Sequence, residues 1–221
     1  MPTESAPPNI LLILADDHGQ WSVGCYGNRE VRTPNLDYLA ASGTQFTNAF
    51  TPCPVCSPAR ASLFTGRIPS QHGVHDFLSE DVTFSDHRWL AEEILLPQLL
   101  QRRNYQTALV GKWHCTIDGH NPQPGFDYWV SYDVRERGWR SQYEHRGKLT
   151  SRKQGQRTTV SGFQSQYLTG RSAWLFGSTG SAASFLPDPQ PGRYPLPVCR
   201  PTRPASWRHT VIPINPIQTS L

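Results

Sequence analysis

Thr107-Ala108-Leu109-Val110-Gly111-Lys112-Trp113-His114 is the stretch on which the reading of this chain turns. An apolar run stops at a glycine and gives way at once to a cation, an indole and an imidazole. A run that short and continuous suits a strand buried on both faces, with the polar cluster at its carboxyl end. The same design occurs earlier. Asn9–Ala15 (N-I-L-L-I-L-A) reads as a buried strand, and Asp16-Asp17-His18-Gly19 follows it. Between the two, Thr33-Pro34-Asn35 supplies a hydroxyl N-cap and a proline at the first helical position. Leu36, Leu39 and Ala40 give that helix its apolar face, and Gly43 stops it. Thr44–Phe50 alternates like a strand. A short helical pattern, Ala59–Phe64, follows Cys56 and ends at Gly66. Trp89–Arg103 reads as helical with a break at Pro97. Strands alternating with helices predict an α/β fold, a mainly parallel sheet flanked by helices. Ligands of such sheets bind beyond the carboxyl ends of the strands, where both polar clusters are expected.

A chain of 221 residues suits about one domain. Its net charge of +4 is unevenly spread. Residues 1–144 hold 11 Lys/Arg against 16 Asp/Glu, or −5, whereas residues 145–221 hold 10 against 1, or +9. A basic segment can bind nucleic acid, but no nucleic-acid module is recognisable and the cations are scattered among prolines, so no nucleic-acid partner is expected. The five cysteines (Cys25, Cys53, Cys56, Cys115, Cys199) form no small disulfide framework. Ile10–Ala15 is too short to span a bilayer and no basic region precedes it. No membrane association is expected, and a cytoplasmic location is the default. From Gly170 onward there is no lysine, one acid and nine prolines. Residues 8–169 are therefore read as the folded domain and 170–221 as an irregular Pro/Arg-rich tail of low order. That tail is either a natural disordered segment or the product of a shifted reading frame near residue 169. Trp174, Phe176, Phe185 and Trp207 lie in no periodic pattern.

Three groups of residues carry chemical potential. Asp16 and Asp17 are adjacent acids that repel each other unless a cation neutralises them, and Ca²⁺ or Mg²⁺ prefers such oxygen donors; two solvated loop acids are the plainer reading. Cys56 heads a C-x-P-x-R pentapeptide, and Arg60, about one helical turn on, returns to the same face as a permanent cation. Cys56 also closes a C-x-x-C pair with Cys53, a spacing found in redox sites and half zinc sites. No second C-x-x-C exists, and a redox role leaves Pro58, Arg60 and the other clusters unexplained. Lys112 and His114 flank Trp113. Alternate residues of an extended segment face one way, which would direct a cation and an imidazole into one cleft. Lys112 could hold an anionic oxygen there, and His114 could orient or deprotonate a hydroxyl.

Several segments in order resemble the type I sulfatase family of the alkaline-phosphatase superfamily: P-N-I-L-L-I-L-A-D-D (8–17), G-C-Y-G-N (24–28), T-P-N-L-D-Y-L-A-A-S-G (33–43), F-T-N-A-F (46–50), C-S-P-A-R-A-S-L-F-T-G (56–66) and T-A-L-V-G-K-W-H (107–114). Ala59 stands where many members have serine. The resemblance implies a sulfuric ester hydrolase. An activating enzyme would oxidise Cys56 to formylglycine (3-oxoalanine), whose hydrate is both nucleophile and metal-bound group. Asp16 and Asp17 would bind a divalent cation, usually calcium. Arg60 would steady the formylglycine diol, Lys112 would contact the sulfate and His114 the diol. The substrate would be a sulfate ester. A phosphonate or phosphodiester hydrolase with the same nucleophile is the enzymatic alternative, and an inactive remnant the non-enzymatic one. The family supplies a further acid and Asn at the metal, and a His and a Lys at the sulfate, from later segments. No counterpart is found after residue 120, so the resemblance implies a truncated form.

Overall fold

The computed structural model describes residues 7–78, 87–117, 119, 121–132, 148–153, 156–161 and 164–178. The expectations for residues 179–221, including Cys199, Phe185 and Trp207, lie outside the described residues. Described residues through Cys56 cluster into one compact unit, and those from Ser57 onward into another.

In the first unit, two 3₁₀ turns, Gln20–Ser22 and Gly24–Tyr26, lead to helix α1, Pro34–Ser42. Proline sits in its first turn and Gly43 at its C-cap, as the sequence predicts. The hydroxyl of Thr33 works differently from an N-cap. Its Oγ1 accepts the Gly24 N–H at 2.8 Å and donates to Asp37 Oδ1 at 3.1 Å, and that carboxylate accepts the Cys25 N–H at 2.6 Å. Thr33 thus ties the helix to the loop before it.

Two predicted strands are absent. Asn9–Ala15 and Thr44–Phe50 carry no strand structure. Ile10 is 55% exposed and Ile13 61%. An apolar run expresses a tendency to be buried, but a strand also needs a neighbour to complete its hydrogen-bond ladder. The described sheet is built from other segments.

The second unit holds that sheet. Helix α2, Cys56–Thr65, ends at Gly66, whose φ of 68° needs a residue without a Cβ. Helix α3 is Pro69–His72 and α4 is Leu96–Gln101. Pro97 does not break a helix over Trp89–Arg103. It lies in the first turn of α4, where its missing N–H costs nothing, and Gln98 Oε1 accepts the Leu95 N–H at 2.8 Å. Strands β1 (Ala108–Val110), β2 (Tyr128–Tyr132), β3 (Lys148–Lys153) and β4 (Gln156–Ser161) pair in that order. β1 and β2 are parallel, with Leu109 beside Trp129 and Val110 beside Val130. β3 and β4 add antiparallel strands, a common edge on an otherwise parallel sheet.

Because side chains alternate along a strand, the parallel pair feeds two cores. Leu109 and Trp129 join Ala61, Val74, Leu78, Leu95, Trp113 and Cys115, with Phe64 and Phe126 packed against them. Val130 joins Tyr167, with Val110, Tyr128 and Leu168 against it. Tyr167 and Leu168 belong to helix α5, Gln164–Ser178. Both faces of β1 and β2 are therefore covered, as a buried α/β strand requires. α5 runs through the position at which the sequence suggests the domain ends. Trp174, which fits no pattern by sequence, lies in this helix, its ring 6.0 Å from Tyr128 and 5.9 Å from the Arg171 guanidinium carbon.

Candidate active site

The carboxyl end of β1 leads directly into the site. Gly111 has a φ of 132°, which turns the chain out of the strand. Trp113 then plants its indole among Phe64 at 4.8 Å, Trp129 at 5.7 Å and Phe126 at 5.9 Å between ring centroids, and donates its indole N–H to Thr116 Oγ1 at 2.9 Å. Aromatic contacts of this geometry contribute beyond the area they bury. The indole is thus the anchor on which the flanking Lys112 and His114 are carried.

The expected alternation does not hold. Trp113 and His114 are consecutive and both buried, Lys112 is half-buried, and His114 has a φ of 55°. A left-handed backbone at a non-glycine residue costs on the order of 1–3 kcal/mol and persists only where surrounding contacts fix it. The contacts are identifiable. His114 Nε2 lies 3.0 Å from the Leu78 carbonyl oxygen, and its ring meets Phe77 edge-on at 4.7 Å. A carbonyl can only accept, so Nε2 carries a proton, and in the neutral imidazole the lone pair belongs to Nδ1.

Helix α2 reaches the same loop. Arg60, buried in the second turn, donates from Nη1 to the Lys112 carbonyl at 2.7 Å. This charge-assisted bond joins the C-x-P-x-R helix to the segment after β1. Pro58 and Ser57 are fully buried in the first turn, and the Ser57 hydroxyl accepts the Leu78 N–H at 3.1 Å. Leu78 is therefore gripped by its N–H from α2 and by its carbonyl from His114. Arg60, Lys112 and His114 are brought together within one unit. Cys56 opens the helix that holds Arg60, one turn away on the same face. It forms no disulfide, and neither do Cys25, Cys53 and Cys115.

Asp16 and Asp17 belong to the first unit and are exposed, Asp17 with a φ of 53°. They are oxygen donors of the kind a hard cation takes, but Ca²⁺ takes roughly six to eight. Among the described residues no three His, Cys, Asp or Glu side chains gather closely enough to hold a metal ion. The donors are right in kind and too few in number.

A second buried polar pair is structural. Ser62 Oγ and His72 Nε2 are 2.9 Å apart, and the Val74 N–H donates to His72 Nδ1 at 3.1 Å. Nδ1 holds the lone pair there, so Nε2–H donates to Ser62. The imidazole points the wrong way to activate that hydroxyl. Burial pushes the His72 pKa below its ordinary value, with Glu93 acting in the opposite direction. The Cys25 thiol is pushed up, by burial first and the Asp37 carboxylate second.

The residues that sequence reasoning passes over are Ser57, Phe77, Leu78 and Trp113 in its anchoring role. A hydroxyl directly after Cys56 in a helical first turn was a visible signal for Ser57. Nothing in the sequence marks Phe77 or Leu78, because their part is to meet residues more than twenty positions away.

Residues 8–179 match the family model for sulfatases. The chain belongs to the sulfatase family. Among curated relatives, it is 41% identical over 117 residues to steryl-sulfatase of Homo sapiens, covering 52% of this chain and 20% of that protein. N-acetylgalactosamine-6-sulfatase of Homo sapiens is 41% identical over 137 residues, covering 56% and 25% respectively. Arylsulfatase A of Homo sapiens is 43% identical over 111 residues, covering 50% and 22%. The chain thus spans about a fifth to a quarter of the length of these sulfatases. Among solved structures, Ps i-CgsB superposes with a TM-score of 0.63 at 28% identity over 80% of this chain and 42% of that one. BT4656 in complex with its substrate D-glucosamine-2-N,6-O-disulfate gives a TM-score of 0.62 at 26% identity, over 79% and 32%. The fold is the alkaline-phosphatase-like α/β fold of sulfatases, as the sequence predicts. Among the described residues no helix is long and apolar enough to cross a membrane.

Proposed function

We propose that this chain is the amino-terminal part of a sulfatase that hydrolyses a sulfate ester. Cys56 is the residue that an activating enzyme converts to formylglycine. The observation that carries the reading is the bond from Arg60 to the Lys112 carbonyl, which joins the C-x-P-x-R helix to the K-W-H segment. Two motifs 52 residues apart thereby become parts of one construction.

A hydrated formylglycine at residue 56 would supply the attacking hydroxyl, and a divalent cation, Ca²⁺ or Mg²⁺, would supply positive charge for the substrate oxygens when bound. The remaining steps belong to this chain's side chains. Arg60 is a permanent cation one turn from residue 56 and holds the loop in place. Lys112 offers an ammonium to a sulfate oxygen, where fixed positive charge stabilises the transition state. His114, with its Nε2 proton committed to Leu78, exchanges a proton with a hydroxyl through Nδ1. Asp16 and Asp17 would offer two carboxylates to the cation. The sulfatase part is assigned to residues 8–169, and residues 170–221 to a Pro/Arg-rich tail whose first nine residues continue helix α5.

Co-expression with a formylglycine-generating enzyme tests the assignment. Mass spectrometry of the peptide containing Cys56 is expected to show a lighter, hydrazide-reactive form. A thiol that stays unchanged beside a converted control sulfatase would overturn the formylglycine reading. Turnover of an aryl sulfate against an aryl phosphonate then separates sulfatase from phosphonate hydrolase chemistry.

A further inference from the structure

We propose that Ser57 is a positioning residue for His114, acting through the backbone of Leu78. Ser57 is fully buried in the first turn of α2, next to Cys56. Its hydroxyl accepts the Leu78 N–H at 3.1 Å, and the carbonyl of the same residue lies 3.0 Å from His114 Nε2. The neighbouring Phe77 ring stands edge-on to the imidazole at 4.7 Å. All of these groups lie in one compact unit.

The mechanical consequence follows from where each bond acts. His114 has a left-handed backbone, so its own φ and ψ do not hold the ring by preference. The ring is held from outside, by the Leu78 carbonyl and the Phe77 edge. Those two residues belong to a segment without helix or strand, which has no ladder of its own to fix it. The bond from the Leu78 N–H to Ser57 supplies that fixture. Residue 57 therefore decides whether the Leu78 carbonyl stays in place, and the carbonyl decides which imidazole nitrogen carries the proton. The helix that bears the nucleophile position thus also sets the tautomer of the general base.

This rests on reading His114 as a proton-exchanging group, but its test needs neither formylglycine nor turnover. Long-range ¹H–¹⁵N spectra of the full chain report the tautomer of each imidazole, and His114→Gln identifies the His114 signals. The wild-type chain is expected to show a single Nε2–H tautomer at this residue. Ser57→Ala is expected to lose it and give averaged shifts for the two nitrogens, while Ser57→Thr, which keeps a hydroxyl, restores it. Ser57→Cys, of similar size and with a weaker acceptor, is expected to fall between and serves if Ser57→Ala fails to fold. A folded Ser57→Ala or Ser57→Cys chain that keeps the wild-type tautomer would overturn the proposal, even in an active enzyme. A Cys56 that resists conversion would leave it standing.

Discussion

Arg60 shows how much a single side chain can hold. Its guanidinium is buried and spends one donor on the Lys112 carbonyl. Hydrogen bonds from charged groups are worth about 1.5–3 kcal/mol, and truncation removes that donor from the Lys112 carbonyl. Arg60→Ala is expected to destabilise the chain by about 2 kcal/mol in urea titrations, and Arg60→Lys to recover only part of this because one ammonium cannot reproduce the planar fork. His72 makes a different prediction. Its imidazole is held below the ordinary 6.5 by burial, against Glu93 and with His75 and Arg67. As pH falls through 6.5 the unfolded chain takes up a proton before the folded chain does. Stability therefore drops with falling pH across that window, and levels off once the folded-state value is passed. Denaturation midpoints measured in a pH series should show this fall, and His72→Gln should flatten it. An unchanged pH dependence in that variant would refute the assignment.

At the scale of elements, the parallel pair β1–β2 and the helices on its two faces form the structural frame. Trp129 is fully buried, with Trp113 and Phe126 against its ring. Trp129→Ala is expected to cost about 3–5 kcal/mol. Trp21, 72% exposed, is the same residue type in the opposite setting. Trp21→Ala is expected to stay within about 0.5 kcal/mol of wild type. Equal costs for the two variants would contradict the described core. Gly66 isolates a backbone term. Its φ is 68° and a Cβ there would meet nothing within 4 Å. Gly66→Ala is expected to cost about 1–2 kcal/mol from conformation alone, read as a shift in the unfolding midpoint.

For the whole molecule, the question is what a cation finds. Asp16 and Asp17 are two donors, and no larger cluster exists among the described residues. Calcium is expected to bind this chain more weakly than about 10⁻⁴ M, since affinity follows the number and rigidity of the ligands. Isothermal titration with Ca²⁺ checks this, and Asp17→Asn should abolish what heat is seen. Tight binding by the wild-type chain would mean that further ligands complete the site.

The short strand Thr107–Val110, helices α1 and α2 and the polar cluster after β1 were legible because each is specified locally, by an apolar run, a proline at a helix start or a glycine at its end. Asn9–Ala15 and Thr44–Phe50 were misread as strands because periodicity reports a preference for burial and says nothing of which neighbour completes a ladder. Pro97 was misread because the same ring that breaks a helix interior suits its first turn. The motifs by themselves singled out the side chains proposed to bear chemistry: Asp16, Asp17, Cys56, Arg60, Lys112 and His114. Tertiary structure alone decided that Arg60 grips the Lys112 carbonyl, that Trp113 anchors its neighbours, and that Ser57 and Leu78 stand behind His114. Those facts depend on contacts between residues far apart in the chain, and such contacts exist only once packing has chosen them.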